Sequence, residues 1–126
     1  MSKDYSVKIV DATKELTPKQ RVAIKDLSDA VSLADIKEGE FVIINVDYTA
    51  ELNIHNEKSE NKEYNVFVIV DKNGKKYYTS SESLMSAFSN IADEMADYPE
   101  EEYEIKVFTK PSKNYKGKSF LTCTII

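Results

Sequence analysis

Alternation of apolar and polar side chains predicts β-strands over most of the chain from residue 41 onward. The stretch "FVIINVDYTAELNIHN" (41–56) is rich in β-branched and aromatic residues, and its length indicates one long bent strand or two short ones. The stretch "YNVFVIVD" (64–71) is apolar on both faces, which favours a central strand. Asn73-Gly74 tolerates positive φ at both central positions of a tight turn. We therefore expect a hairpin with residues 75–79.

Three more strands are predicted near the two ends of the chain. At the C-terminal end, "EYEIKVF" (102–108) and "SFLTCTII" (119–126) each alternate apolar with polar or aromatic positions. Near the N-terminus, "YSVKIV" (5–10) shows a short alternation of the same kind, which is typical of an edge strand.

A first helix is predicted to begin within "LTPKQRVAIKDL" (16–27). Thr17 fits the N-cap, Pro18 the first helical position, and Gln20 is placed to close a capping box. This short helix would carry an imperfect apolar stripe of Val22, Ile24, Leu27 and Val31.

A second, clearer helix is predicted within "TSSESLMSAFSNIADEMADYP" (79–99). Thr79 and Glu82 form one possible capping box, and the helix should end before Pro99. Its apolar residues recur at spacings of four, three and four and form one stripe, which consists of Leu84, Phe88, Ile91 and Met95. A helix packed on a sheet is the interpretation that we prefer to any aromatic or sulfur chemistry.

The order of predicted elements from residue 41 is strand, strand, strand, helix, strand, strand. This is the element order of the OB-fold, a partly open Greek-key barrel that often binds oligonucleotides. We therefore expect a mainly β protein with one or two helices, built as a five-stranded antiparallel OB-fold barrel with an N-terminal strand and helix extension. The whole chain, 1–126, is expected to form one domain, with the extension at 1–40 and the barrel core at 41–126.

Composition argues against an enzyme, a metal site and a membrane protein. Cys123 is the one cysteine and is expected to be a small core hydrophobe, while any catalytic pair would depend on the single histidine, His55. There is no nucleophile–base pair, phosphate loop or metal constellation, so we expect no catalysis, no cofactor and no metal. No apolar run approaches the roughly 18 residues of a membrane span, and nothing near the N-terminus is typical of an export signal. The cytoplasm is the expected location.

Charge is distributed very unevenly along this chain of net charge -5. From residue 105 onward there are five lysines and no acids, which leaves -10 on the first 104 residues. An acidic band at 93–104, with seven acids and no basic residue, directly precedes this basic segment. The lysines lie around "KPSKNYKGKSF" (110–120), the connection between the fourth and fifth strands of the expected barrel. That connection is one of the two loops through which OB-folds contact ligands.

Lysines interleaved with aromatic rings are what binding to single-stranded nucleic acid requires, because phosphates need positive charge and unpaired bases need flat surfaces. The candidate residues in and beside this loop are Lys106, Phe108, Lys110, Lys113, Tyr115, Lys116, Lys118 and Phe120. Further candidates are His55, Tyr77 and Tyr78. For the two tyrosines core packing is an equal alternative, and for His55 ordinary boundary packing is an alternative, because the register of the strands is not fixed by the sequence.

Several stretches, "IHNEKSE", "DKNGKKYYTSSESL" and above all "EIKVFTKPSKNYKGKSFLTCTII", resemble the small single-stranded DNA-binding proteins of tailed bacteriophages. The resemblance covers the C-terminal two thirds of the chain. It implies an OB-fold that coats single-stranded DNA during phage replication or recombination, without catalysis and largely without sequence preference, in the cytoplasm of the infected host. It points to the lysines and rings of 106–120 and also to His55, Tyr77 and Tyr78.

The resemblance leaves partners other than DNA open. Many replication proteins of this kind end in an acidic tail that recruits partners, whereas this chain ends in "TCTII". Recruitment of replication or recombination proteins would then use another acidic surface, such as "DEMADYPEEE" (93–102). The edge strand "YSVKIV" could pair between subunits of a homo-oligomer. A different function remains as an alternative: a phage-encoded inhibitor whose acidic band imitates nucleic acid and binds a host protein.

Overall fold

The computed structural model describes residues 5–58, 60, 62–98, 100–111 and 119–126 of the chain. In chain order, the elements of this part are β1 (Tyr5–Ala12), α1 (Pro18–Lys25), β2 (Val31–Ser32), a 3₁₀ turn (Leu33–Asp35), β3 (Phe41–Asn56), β4 (Glu63–Asp71), β5 (Lys76–Thr79), α2 (Glu82–Met95), β6 (Glu104–Pro111) and β7 (Ser119–Ile125). The expectation of a mainly β protein with two helices is confirmed, and the region 41–56 is one long strand.

The strands form one curled, mixed sheet in the order β2-β5-β4-β3-β6-β7, with β1 also paired to β3. All pairs are antiparallel except β2 with β5. Within the described residues the ends of this path, β2 and β7, do not pair with each other, so the sheet is a half-barrel. The exact five-stranded antiparallel barrel is not what the structure shows, because seven strands are present among the residues that it describes. β1 is the strand expected in the N-terminal extension, and the parallel β2 was not predicted.

The N-terminal strand joins the sheet because it completes a buried apolar layer. Val7 lies opposite Ile54 and Ile9 opposite Leu52. Ile54 and Leu52 are buried, and Val7 and Ile9 pack against them. Burial of these side chains stabilises the pairing, since apolar area removed from water contributes about 25 cal/mol per Å².

A bulge in the long strand β3 divides the protein into two cores. The pairing of β3 with β4 shifts between Val46 and Tyr48. Before the bulge Ile44 and Val46 face the core that α2 covers, and after it Tyr48 and the even-numbered residues that follow face the core that α1 covers. One inserted residue exchanges the two faces of a strand, so even-numbered residues are buried on both sides of the bulge but belong to different cores.

The hairpin expected around Asn73-Gly74 is confirmed, with a different turn. β4 and β5 pair antiparallel from Phe67–Thr79 to Val70–Lys76. Among the described residues positive φ occurs only at glycines, and in this turn it is Gly74 that has it, at +91°. Asn73 keeps negative φ because the carboxylate of Asp71 accepts a hydrogen bond from the Asn73 backbone N–H at 2.9 Å. The Asp71 side chain thus fixes the turn locally.

The capping prediction for α1 is confirmed, while its apolar stripe is only half right. Thr17 Oγ1 accepts from the Gln20 N–H at 3.2 Å, and Gln20 Oε1 accepts from the Thr17 N–H at 3.0 Å. Ile24 is fully buried, but Val22 is 73% exposed and Val31 lies in β2, beyond the end of the helix. The helix is only two turns long, so it can direct few residues to the core.

The N-cap of α2 is Ser81 rather than Thr79. Ser81 Oγ accepts from the Leu84 N–H at 3.3 Å, while Thr79 ends β5 and is buried. The predicted stripe does face the core, with Leu84 and Phe88 buried. The ring of Phe88 meets Phe67 with centroids 5.4 Å apart, which fixes the helix against the sheet.

Candidate nucleic-acid interface

Strand β6 presents the predicted lysines and ring on its outer face. Ile105 and Val107 are completely buried under α2, so the alternation of the strand directs Lys106, Phe108 and Lys110 away from the core. The sequence alone predicted this division of β6 into two faces, and the structure confirms it.

Pairing with β3 and β7 extends this outer face by two more rings. Phe41 of β3 lies opposite Phe108, and Phe120 of β7 lies opposite Lys110. Directly opposite residues of antiparallel strands share one face of the sheet. Phe41 is 56% exposed and Phe120 39% exposed, which are unusual values for phenylalanine. We call Phe41, Lys106, Phe108, Lys110 and Phe120 the Lys–Phe face.

The two ammonium groups of this face lie over its rings. Lys106 Nζ is 4.7 Å from the ring centroid of Phe41 and 5.5 Å from that of Phe108, and Lys110 Nζ is 5.8 Å from that of Phe108. In the described part of the chain neither lysine is paired with a carboxylate. The face therefore combines positive charge that is not neutralised by a neighbouring acid with flat apolar surface, the two requirements for binding unpaired nucleotides.

The centre of the predicted site lies outside the described residues. Lys113, Tyr115, Lys116 and Lys118 belong to the segment 112–118, between Pro111 and Ser119, which are paired with each other at the ends of β6 and β7. Their assignment to the site stays a prediction.

The structure does not bring Tyr77 and Tyr78 to the Lys–Phe face. Tyr77 is 6% exposed and belongs to the core beneath α2, where its ring offers no surface to a base. Tyr78 is half-buried and packs against the core on the α1 side. The pairing of β5 with β4 accounts for both positions, and it is the information that the sequence lacked.

His55 also lies apart from this face, near the far end of β3, among carboxylates. Its Nε2 is 2.7 Å from Glu57 Oε1, and its Nδ1 is 3.4 Å from Glu63 Oε1. Hydrogen bonds from the His55 ring, and then from Lys62, lower the pKa of the Glu57 carboxyl below its ordinary value. Negative charge on both sides of the ring opposes a phosphate, so the boundary interpretation suits His55 better than base contact.

Phe41 and Ile43 lie on the outer surface of β3 beside β6, and neither was among the candidates from the sequence. Ile43 lies opposite Lys106 and is 38% exposed. Both side chains alternate with the more buried Val42 and Ile44, as expected for a β-strand with one face toward the core. The sequence does not show that this part of β3 pairs with β6 rather than with β4. That pairing brings the lysines beside Phe41.

In the part of the chain that the structure describes, neither a metal-binding cluster nor an activated thiol is seen. No group of three His, Cys, Asp or Glu side chains there is arranged to hold a metal ion. Cys123 is buried, and this burial raises the pKa of its thiol to about 11, which disfavours the reactive thiolate. Within the same residues, no helix is long and apolar enough to cross a membrane.

An exposed sheet face of rings and lysines on a curled β half-barrel is typical of proteins that bind single-stranded nucleic acid. Comparison with protein families makes this specific: the family model of the Phi29-type phage single-stranded DNA-binding protein matches residues 5–126. The chain belongs to this family, which is a non-enzymatic DNA-binding family. No curated protein and no solved structure matches the chain. The protein thus binds single-stranded DNA in phage replication, and the comparisons do not support the alternative of an acidic inhibitor.

Proposed function

We propose that single-stranded DNA lies across the outer surface of β3, β6 and β7, on the Lys–Phe face. The position of Lys106 Nζ between the rings of Phe41 and Phe108 carries the proposal, because it places a phosphate-binding cation between two surfaces on which bases can stack. Bases stack on Phe41, Phe108 and Phe120, and the two lysines meet the phosphates.

The energetics suit a protein whose net charge is -5. Stacking of a base on an aromatic ring contributes roughly 1 to 3 kcal/mol, so three rings supply most of the binding free energy without long-range attraction. Each lysine that meets a phosphate adds a counterion-release term, which makes affinity moderately dependent on salt. Stacking is tolerant of sequence, and we infer little preference among bases.

The segment 112–118 extends this site in our proposal. Lys113, Tyr115, Lys116 and Lys118 are joined through Pro111 and Ser119 to the strands that carry Lys110 and Phe120. Pro111 and Ser119 lie opposite each other beside Lys110 and Phe120, which supports assigning the segment to that end of the face. They add up to three positive charges and one ring for the same strand of DNA.

For the chain as a whole we infer a single domain that is an opened variant of the OB-fold. From β3 to β7 the elements follow the order of the OB-fold, with α2 between the third and the fourth of these five strands. The added β2 lies on the free edge of β5 and accounts for the missing closure. We further propose that the protein coats DNA without catalysis in the cytoplasm of the infected host, and that it contacts replication or recombination proteins.

Fluorescence anisotropy of a labelled oligo-dT strand tests the proposed face. The double variant Lys106→Glu, Lys110→Glu is compared with Lys19→Glu, Lys25→Glu, which changes net charge equally on α1. We expect the first to lose binding by at least about tenfold and the second to change little, since phosphate contacts are local. A duplex of the same length should bind more weakly, because its bases are already stacked.

Two results would contradict this assignment. Equal losses in both double variants would mean that only overall charge matters. Unchanged binding by the Lys106→Glu, Lys110→Glu variant, with its fold intact by circular dichroism, would place the DNA on another surface.

A further inference from the structure

A groove of about 570 Å³ lies between α2 and the strands β1 and β3, away from the Lys–Phe face. One wall is formed by α2 and the acidic segment after it, with Asp93, Glu100, Glu101 and Glu102. The volume falls within the range of ligand-binding clefts. The groove and the Lys–Phe face share no residue, so the role of the groove is independent of where DNA binds.

The charge of the groove is strongly negative. The opposite wall adds Asp11, Asp47 and Glu51, and the only cations among the described lining residues are Lys14 and Lys72. Lys14 is paired with Asp47 at 3.4 Å and Lys72 with Glu102 at 3.1 Å. Five carboxylates are left without a cationic partner in this part of the chain, so the groove repels DNA and attracts cations.

The floor of the groove is apolar. The apolar surface that a ligand can reach there is mainly that of the half-buried Met85 and Met95 of α2, while Val46, Phe67 and Phe88, which also line the groove, are buried. Methionine side chains adapt to differently shaped apolar partners. An acidic rim above an apolar floor fits a ligand that carries positive charge and large apolar side chains together, which a hydrated metal ion or a polyamine lacks.

We propose that this groove binds a basic, amphipathic segment of a partner protein, with lysine or arginine at the rim and one or two large apolar side chains on the floor. Charge complementarity selects this occupant, because a second copy of this acidic chain would bring its own net charge of -5. The groove gives the protein a second surface that remains free while DNA occupies the Lys–Phe face.

The probe for this proposal is a fluorescein-labelled eight-residue peptide that alternates Lys with Leu, and the matched peptide alternates Lys with Ser. We expect the Leu peptide to bind at least about tenfold more tightly, because only it can fill the floor. If the two peptides bind equally tightly, the groove attracts them only through its negative charge, and the proposal is wrong.

Two pairs of variants locate the peptide. The triple change Asp93→Asn, Glu100→Gln, Glu101→Gln removes rim charges, and it should weaken binding about tenfold. Its control, Asp35→Asn, Glu38→Gln, Glu60→Gln, alters charge equally outside the groove.

The second pair tests the volume of the groove without changing charge. Ser89→Phe fills the groove from α2, whereas Asn90→Phe adds the same ring to the next helical residue, outside the groove. The first should abolish binding of the Leu peptide and the second should not. If each control variant weakens binding of the Leu peptide as much as the corresponding groove variant does, the proposal is contradicted.

Oligo-dT binding is measured on every variant and should stay unchanged, which shows that the fold is intact. Analytical ultracentrifugation of the protein alone identifies the other occupant: self-association that the triple groove variant abolishes would mean that the groove holds a second copy, against the proposal. Failure of the Lys–Phe face to bind DNA would leave the peptide result as it stands.

Discussion

Replacing Phe41 by alanine tests the part of the proposed DNA-binding face that the sequence did not reveal. Phe41 begins β3, lies opposite Phe108, and is 56% exposed. Because more than half of the side chain is already in water, truncation removes a stacking surface and little of the core. A contact with the Lys106 ammonium, 4.7 Å from the ring centroid, is lost as well.

The expected loss follows from stacking. One base–aromatic contact is worth roughly 1 to 3 kcal/mol, which corresponds to a dissociation constant about 5 to 150 times larger. The free energy of unfolding should fall by much less than the 3 to 5 kcal/mol or so of a fully buried phenylalanine, and about 1 kcal/mol is reasonable for this exposure. Binding and stability are therefore affected to different degrees.

Anisotropy titration with labelled oligo-dT measures the binding loss, and urea denaturation measures stability. The matched control is Tyr5→Ala, which removes a ring that is 49% exposed on β1. We expect Tyr5→Ala to bind DNA like the unaltered protein. If Phe41→Ala also binds normally, or if both variants lose affinity alike, the assignment of Phe41 to the DNA surface is wrong.

Three further predictions concern single side chains. Lys110→Gln should lower the slope of log affinity against log salt by about 0.7, the value of one phosphate contact with a single strand, and an unchanged slope would remove Lys110 from the site. Burial raises the pKa of the Cys123 thiol from 9.0 to about 11, so the thiol of the unfolded chain loses its proton at lower pH than that of the folded protein. The free energy of unfolding should therefore fall by about 2 kcal/mol as the pH rises from 9 to 11. This pH-dependent loss should be absent from denaturation curves of the Cys123→Ala variant. Lys76 donates to Ala23 O at 2.9 Å, so Lys76→Met should cost about 2 kcal/mol in denaturation without affecting DNA binding, while Lys75→Met should cost far less.

Local patterns predicted both α-helices and every strand except the short β2, because each of these elements depends on neighbouring residues. The capping box of Thr17 and Gln20 and the two faces of β6 are examples. The N-cap at Ser81 instead of Thr79 shows the limit of this approach: several hydroxyl residues precede α2, and tertiary pairing of Thr79 within β5 decided between them.

Long-range pairing could not be predicted to the same extent. The bulge between Val46 and Tyr48 reverses the faces of β3, and a single inserted residue leaves no clear signal in the sequence. For the same reason the sequence predicted the Lys–Phe face only in part. Lys106 and Phe108 were expected on the outer side of β6 and lie there, Phe41 was not among the candidates, and Tyr77 is buried. Contact of these residues with DNA stays a prediction.

The most direct test of the proposed DNA-binding face is photocrosslinking of an oligo-dT strand that contains 5-iodouracil, followed by mass spectrometry of the digested protein. Rings that stack on bases should form the crosslinks. We predict crosslinked peptides that contain Phe41, Phe108 or Phe120, with competition by unlabelled oligo-dT. Crosslinks confined to Tyr5 or His55, with none on the outer surface of β3, β6 and β7, would contradict the account.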